Sequence, residues 1–344
     1  MHEVFTRGTR DDGGAASYAL DPRDGHAPVA SEGDEAASSF VPAETDAAKP
    51  FVSVVVPAFN DAARLALCLD ALERQTYPKD SYEVVVVDNG SDEPVAPLVA
   101  RFPSARSCAE PRPGSYAARN KGLQLARGDV LAFTDADCIP AADWIEKGVA
   151  ALHSSGPARG LVAGRVEVFI EDARRASAVE LYESMTALAQ KTYVEQGRFG
   201  ATANLFTFRS VFERAGLFDA ALMSGGDVEW GQRVASLGYD IAYSDEARVA
   251  HPARRTLGHL YGRVARVMGG FHELARSNRG RYIALGRGFL RDSLPPLRAS
   301  LSVLRGPRPE RLADRLKVVG VMFFVQYAQV WELLRLKAGR PPRR

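Results

Sequence analysis

One stretch constrains this chain more than any other: Gly128 to Asp137, which reads Gly-Asp-Val-Leu-Ala-Phe-Thr-Asp-Ala-Asp. Val130 to Thr134 is a continuous apolar and β-branched run, the pattern of a short strand covered on both faces. Strands covered on both faces belong to parallel sheets flanked by helices, so the run predicts an α/β layer architecture. It ends in Asp135-Ala136-Asp137, and strand alternation sends the first and third side chains the same way. Two carboxylates at one strand end repel each other unless a cation lies between them. Mg²⁺ and Mn²⁺ prefer such oxygen ligands and bind phosphates at the same time. Taken alone, the pair reads equally well as capping for a helix that starts near Pro140.

Two runs of the same character precede it. Val52 to Val56 predicts a strand that turns out through Pro57-Ala58-Phe59-Asn60. Tyr82 to Val87 predicts a second, ending in Asp88-Asn89-Gly90-Ser91-Asp92. Between them Asp61 can cap a helix running to about Gln75, with Leu65, Cys68, Leu69 and Leu72 on one face. Strand, helix and strand in about thirty residues make a βαβ unit with parallel pairing and a right-handed crossover. A helix over 95–101, a strand near Ala105, a loop at 110–114 and a helix over 115–126 follow, the last carrying Arg119, Asn120 and Lys121. In open α/β sheets ligands bind beyond the carboxyl ends of the strands. Asn60, Asp88 and Asp137 all fall at such ends, which independent caps explain poorly.

Past the acidic pair, the pattern predicts helices over 141–152 and 173–192 and strands over 161–170 and 239–243. Residues 200–208 turn strand-like, and Val249 to Pro252 ends the sheet. Ser224-Gly225-Gly226-Asp227-Val228-Glu229-Trp230 opens a helix to about Leu237. Asp227 lies in its first turn, where a carboxylate also suits the helix dipole. A helix over 254–275 sets Arg255, His259, Arg263 and Arg266 along one stripe, which also reads as a solvated face. Amphipathic basic segments are expected at 279–291, 294–304 and 311–337.

The 344 residues suffice for one large α/β domain with an appendage. The net charge of +2 gives no global field for nucleic acid, but it hides a split. Residues 1–50 carry −6, residues 51–251 carry −7 and residues 252–344 carry +15. A tail this basic predicts an anionic surface as partner. Residues 1–49, rich in Gly, Ala, Ser, Asp and Pro, predict a disordered acidic leader with no signal-peptide pattern. Cys68, Cys108 and Cys138 have no metal-like spacing and read as free thiols in a reducing compartment. Val318 to Leu334 is apolar except for Gly320, Gln326, Gln329 and Glu332. At ~1.5 Å per residue it falls short of a ~30 Å bilayer core, so it predicts a helix lying in the membrane interface between basic flanks.

Together these motifs resemble the family 2 glycosyltransferases of the GT-A fold, over roughly Phe51 to His251 and in that family's order. Pro57 to Asn60 resembles the opening of the donor site, and Asp88 to Asp92 the second-strand motif whose first Asp contacts the nucleobase. Pro113-Gly114 through Arg119-Asn120-Lys121-Gly122, then Ala126 to Asp129, resembles the segment before the metal motif. Asp135-Ala136-Asp137 resembles the Asp-x-Asp motif, and Gly226 to Arg233 the acidic acceptor motif with the catalytic base. His251 stands where many members carry a His near the metal or diphosphate. Two departures matter. Gly226 replaces the usual Glu of the base motif, and Val234 follows Gln232-Arg233, so the Gln-x-x-Arg-Trp motif of processive synthases is missing.

The resemblance implies an α/β GT-A catalytic domain over 50–253, mainly parallel sheet flanked by helices, with a basic helical appendage over 254–344. It implies an inverting, metal-dependent, non-processive transferase of cell-surface polysaccharide or glycolipid synthesis. A nucleotide-diphosphate sugar would be the donor, and a glycan or lipid-linked molecule the acceptor. Asp227 would be the base. Pro57, Asn60, Asp88, Arg119 and Asp135 would hold the donor. Asp137, Asp135 and His251 would hold Mg²⁺ or Mn²⁺. The expected location is the cytoplasm, peripheral on the inner face of the cell membrane. A nucleotidyltransferase is the alternative, though Pro57 to Asn60 is not a Gly-rich phosphate loop. A non-catalytic, membrane-associated sugar-nucleotide binding protein is the other.

Overall fold

The computed structural model describes residues 49–154, 156–276 and 295–343. The leader therefore lies outside the described residues apart from Lys49, as does the 279–291 segment. Among the described residues, eight strands join in one sheet of order β3-β2-β1-β4-β7-β6-β8-β5. The strands are β1 (Val52–Ala58), β2 (Tyr82–Asp88), β3 (Ala105–Ala109), β4 (Val130–Thr134), β5 (Ile139–Pro140), β6 (Arg159–Phe169), β7 (Asn204–Phe208) and β8 (Asp240–Pro252). β3, β2, β1 and β4 run parallel, with Ala58 level with Asp88. β7 pairs antiparallel with both β4 and β6. This half-and-half order puts the three acidic or polar strand ends of the first half beside one another.

The continuous valine runs are explained by burial on both faces. Val52, Val54, Val56, Val84 and Val86 point to one side, under α1 (Ala62–Glu73) and α4 (Trp144–His153). Val55, Leu131 and Phe133 point to the other, under α3 (Ser115–Leu125), α7 (Arg209–Ala215) and α8 (Gly226–Ser236). Each such valine or leucine stabilises by roughly 1.5–3 kcal/mol when fully buried. Glu83, at the acidic start of β2, is 3% exposed and is satisfied by Ser53, Arg106 and Arg127 at the far edge from the site.

Several elements differ from expectation. The helix expected over 173–192 is two, α5 (Ala178–Thr186) and α6 (Gln190–Gly197). A capping box of Ser177 and Glu180 starts α5, and Leu188 at φ 53 breaks the chain before α6. The break frees the Gln190 amide to bond Ala201 and Asn204, so a tertiary contact overrides helix propensity. The strand expected at 239–243 and the sheet end expected at 249–252 belong to one strand, β8, with a register shift opposite Gly164 and Arg165.

The stripe expected over 254–275 is solvated at Arg255 and His259 and turns inward at Arg263 and Arg266. α9 (Leu257–Arg276) packs Leu260 and Val264 against Val179 of α5 and against Val321, Val325 and Ala328 of the C-terminal helix (Leu312–Lys337). Arg255 pairs with Glu180 at 3.6 Å and Arg263 with Glu183 at 3.4 Å, both carboxylates being buried. Arg254 adds a 3.0 Å pair to Glu183. The basic helices thus dock on the catalytic layer, and the described residues from Pro50 onward form one compact unit. The polar stripe of the C-terminal helix also turns inward at Glu332, which is fully buried against Arg335, Arg343 and Tyr261. No helix among the described residues is long and apolar enough to cross a membrane.

Candidate active site

The site is built from the floor of parallel strand ends upward. In one corner, Asn60 leaves β1 in a left-handed conformation, φ 50. Its amide bonds Asp92 in both directions, Nδ2 donating to Oδ2 at 3.0 Å and Oδ1 accepting from the Asp92 amide at 2.7 Å. Asp88, at the end of β2, accepts from the Ser91 and Val95 amides at 2.9 and 3.3 Å. Burial pushes the Asp88 carboxyl up, but these amides together with Gly90 outweigh it and hold the group below its usual range. Asp88 is therefore ionised, and half-buried Pro57 and exposed Asn60 stand beside it at the neighbouring strand end. Asn89, not singled out by sequence, fixes the Pro113-Gly114 loop by donating to Glu110 and Arg112 carbonyls and accepting from the Gly114 amide.

At the end of β4, the two carboxylates divide. Asp135 pairs with Arg119, whose side chain is 5% exposed. Arg119 is therefore turned onto Asp135 rather than open to the cleft, and its buried Nε has no partner. Asp137 faces His251, with Oδ2 3.4 Å from Nε2. His251 is 7% exposed, and its Nδ1 lies 2.8 Å from the Pro252 carbonyl. A carbonyl only accepts, so Nδ1 carries a proton, and Nε2 is the ring nitrogen turned toward the Asp137 carboxylate. Burial first, then the Asp135 charge, push the Asp137 carboxyl up, while His251, Arg254 and Arg64 pull it back. Nε2 facing a desolvated carboxylate, with the second ring nitrogen oriented by a carbonyl as in metal-bound histidines, makes a cradle that fits a divalent cation. No three His, Cys, Asp or Glu groups among the described residues form a closed metal cluster. The pair that the fold does assemble, Asp137 and His251, would suit Mg²⁺ or Mn²⁺, which keep waters and take phosphate oxygens beside one or two carboxylates.

Opposite stands the start of α8. Gly225, at φ 81, turns the chain so that Asp227 enters the cleft from the first turn. Asp227 Oδ1 accepts from the Tyr116 hydroxyl at 3.0 Å. Burial pushes the Asp227 carboxyl up, and Arg119, Tyr116 and the Val228 amide partly offset this. Burial also drives the Tyr116 hydroxyl far upward, so it remains a donor. The departure at Gly226 now has a cause: a Cβ there would stand 2.8 Å from the Tyr116 ring. Both oxygens of Glu229, by contrast, are taken by Arg233 at 3.0 and 2.8 Å. Tyr116 was missed from sequence because 111 positions separate it from Asp227. Its place one turn before Arg119 was the available signal.

A parallel half-sheet with polar strand ends, an acidic pair and a facing acid on a helix start defines a nucleotide-sugar transferase architecture. The Glycosyl transferase family 2 model matches residues 53–216. The chain is 39% identical over 210 residues to "Glycosyltransferase AglE" of Haloferax volcanii, covering 60% of this chain and 68% of that one. It is 21% identical over 203 residues, 56% of this chain and 63% of the other, to a Methanococcus voltae protein. That protein is named "Dolichyl N-acetyl-alpha-D-glucosaminyl phosphate 3-beta-D-2,3-diacetamido-2,3-dideoxy-beta-D-glucuronosyltransferase". Among solved structures, the mannosyltransferase PcManGT from Pyrobaculum calidifontis, in complex with GDP-Man and Mn²⁺, superposes with a TM-score of 0.59 at 21% identity. The match covers 83% of this chain and 87% of that one. The chain belongs to glycosyltransferase family 2 and has a GT-A-like α/β fold with C-terminal helices. It is a glycosyltransferase that moves sugar from a nucleotide sugar, which sets aside both the nucleotidyltransferase and the non-catalytic alternatives. It spans about two thirds of the length of the two relatives named.

Proposed function

We propose that this enzyme inverts the anomeric carbon in a single displacement, uses Mg²⁺ or Mn²⁺, and adds one sugar per encounter to a membrane-proximal, lipid-linked acceptor. The observation that carries the reading is the pairing of Asp227, desolvated and held by Tyr116, with the Asp137–His251 cradle across the same cleft. Asp88 accepts from the nucleobase, beside Asn60 and Pro57. Arg119 holds Asp135 toward the donor ribose and the metal. Asp137 and His251 hold the metal, which supplies Lewis-acid neutralisation of the leaving diphosphate when bound. Asp227 takes the proton of the acceptor hydroxyl as that oxygen attacks. Its raised carboxyl suits a general base near neutral pH, a role worth ~10²–10⁴-fold. The absence of the Gln-x-x-Arg-Trp motif after α8 supports single additions.

The metal assignment is supported by the Mn²⁺ in the PcManGT complex, and the lipid-linked acceptor by the dolichyl phosphate in the name of the Methanococcus relative. Membrane association is supported by the +15 charge of residues 252–344 and by the outward face of the C-terminal helix. Leu312, Leu316, Tyr327, Trp331 and Leu334 are each 45–63% exposed there and share one stripe. The anionic inner leaflet is the surface this charge suits. Synthesis of cell-surface glycan is the corresponding role.

The test is product stereochemistry and base identity together. With a matched donor and acceptor, NMR should show the opposite anomeric configuration in the product. Asp227→Asn should keep donor binding and lose at least ~10²-fold in transfer. A retained anomer, or an active Asp227→Asn beside a dead Glu229→Gln, would reject the mechanism.

A further inference from the structure

The site as assembled so far lacks a cation for the donor diphosphate other than the metal. Arg119, the residue the sequence suggests, is buried and spent on Asp135. Arg254 and Arg263 are spent on Glu183. Arg233 is spent on Glu229 and two carbonyls.

Arg266 is different. It lies on α9, outside the 53–216 family match, and is half-buried. Among the described residues it makes no hydrogen bond and no ion pair. The groups that act on it electrostatically are Arg254, Arg263, Tyr116 and Asp135, two of them site residues. α9 reaches the site by a close backbone approach. At Gly270, one turn beyond Arg266, a Cβ would stand 2.2 Å from the Ser224 carbonyl oxygen, in the turn that delivers Asp227. Leu274 and Phe271 of the same helix pack in the core cluster that holds Tyr116. The face of α9 that carries Arg266 is therefore seated on the catalytic loop.

Burial lowers the affinity of Arg266 for its proton, and the two nearby arginines add to this. A desolvated guanidinium beside two other cations is costly unless an anion arrives. From this juxtaposition we infer that Arg266 is a binding residue for the diphosphate of the nucleotide-sugar donor, presented to the cleft by α9. The inference rests on the nucleotide-sugar reading of the site. It makes the basic C-terminal region part of the active site as well as a membrane-facing appendage.

The experiment is calorimetric titration of the full chain with UDP and GDP in Mn²⁺, for wild type, Arg266→Gln and Arg266→Lys, with melting curves of each. Wild type should bind one of the two diphosphates. Arg266→Gln should weaken that binding by about 10- to 100-fold, the range for a lost charge-assisted hydrogen bond. Arg266→Lys should recover part of it, since the charge remains but the planar fork does not. The ligand-free Arg266→Gln protein should melt no lower than wild type, because an unpaired desolvated charge has been removed. A wild type that binds no nucleoside diphosphate would defeat the nucleotide-sugar site itself. A wild type that binds one, with Arg266→Gln binding it equally tightly, would overturn the role of Arg266 alone. A melting temperature that falls in the ligand-free Arg266→Gln protein would overturn it too, by marking the arginine as structural.

Discussion

Tyr116→Phe isolates the contact that holds Asp227, the proposed base. The substitution keeps the ring against Phe218, 5.7 Å between centroids, and deletes only the hydroxyl that bonds Asp227. A hydrogen bond to a charged group contributes ~1.5–3 kcal/mol, and ~1.4 kcal/mol corresponds to one pKa unit. The hydroxyl donates, so it favours the ionised carboxylate, and its loss moves Asp227 further up. Arg119 remains nearby and cleft water recovers part of the bond, so the shift should be about one unit. Below the new value the ionised fraction falls tenfold per pH unit. The acid limb of single-turnover transfer, followed over roughly pH 5 to 9, should therefore move up by about one unit. On that limb the rate should drop about tenfold, and at high pH the two enzymes should converge. Stability carries the same signature with a worked sign. A carboxyl raised in the folded state binds more protons folded than unfolded, so its contribution to stability falls as pH rises from the ordinary carboxylate range through the raised value. Tyr116→Phe should extend that fall to higher pH. An unmoved acid limb in a folded variant would refute the assignment of Asp227 as the base held by Tyr116.

Other perturbations have equally definite outcomes. Asp137→Ala should abolish Mn²⁺-dependent nucleotide binding in titration calorimetry while the protein stays folded, because Asp137 and His251 face each other across the cation cradle. Gly148→Ala in α4 should lower the melting temperature although alanine favours helices by ~1 kcal/mol. Its Cβ would stand 2.2–2.4 Å from the Phe206 ring, and overpacking of that kind costs ~1–3 kcal/mol. Glu332→Ala should destabilise by up to ~3–5 kcal/mol in urea unfolding, since it empties a fully buried position and leaves half-buried Arg335 without its counter-charge. Replacing Tyr327 and Trp331 by Ser should weaken co-sedimentation with anionic liposomes and leave soluble nucleotide binding unchanged. Equal sedimentation of the variant would remove the membrane face.

What was legible in the chain follows from which forces leave a local trace. Burial on both faces demands unbroken apolar residues, so β1, β2 and β4 are written as valine and leucine runs, and their polar ends mark the cleft. The start of α8 is legible for a similar reason, since Gly225 with its positive φ and an acid one turn in are a local pattern. Contacts across the fold leave no such trace. Leu188 is an ordinary leucine in the sequence, yet it breaks a helix because Gln190 is needed by Ala201 and Asn204. Glu332 reads as the wet edge of an apolar helix, and it is the dry anchor of that helix because Tyr261, Arg335 and Arg343 converge on it. The same logic separates the two readings of the arginines near 254–266. Their spacing is that of a helix face whether they meet water, carboxylates or substrate. Only the positions of Glu180 and Glu183 decide that Arg254, Arg255 and Arg263 are consumed in holding α9 to α5. A residue of the same type, on the same helix, that finds no such partner is where chemistry beyond folding has to be sought.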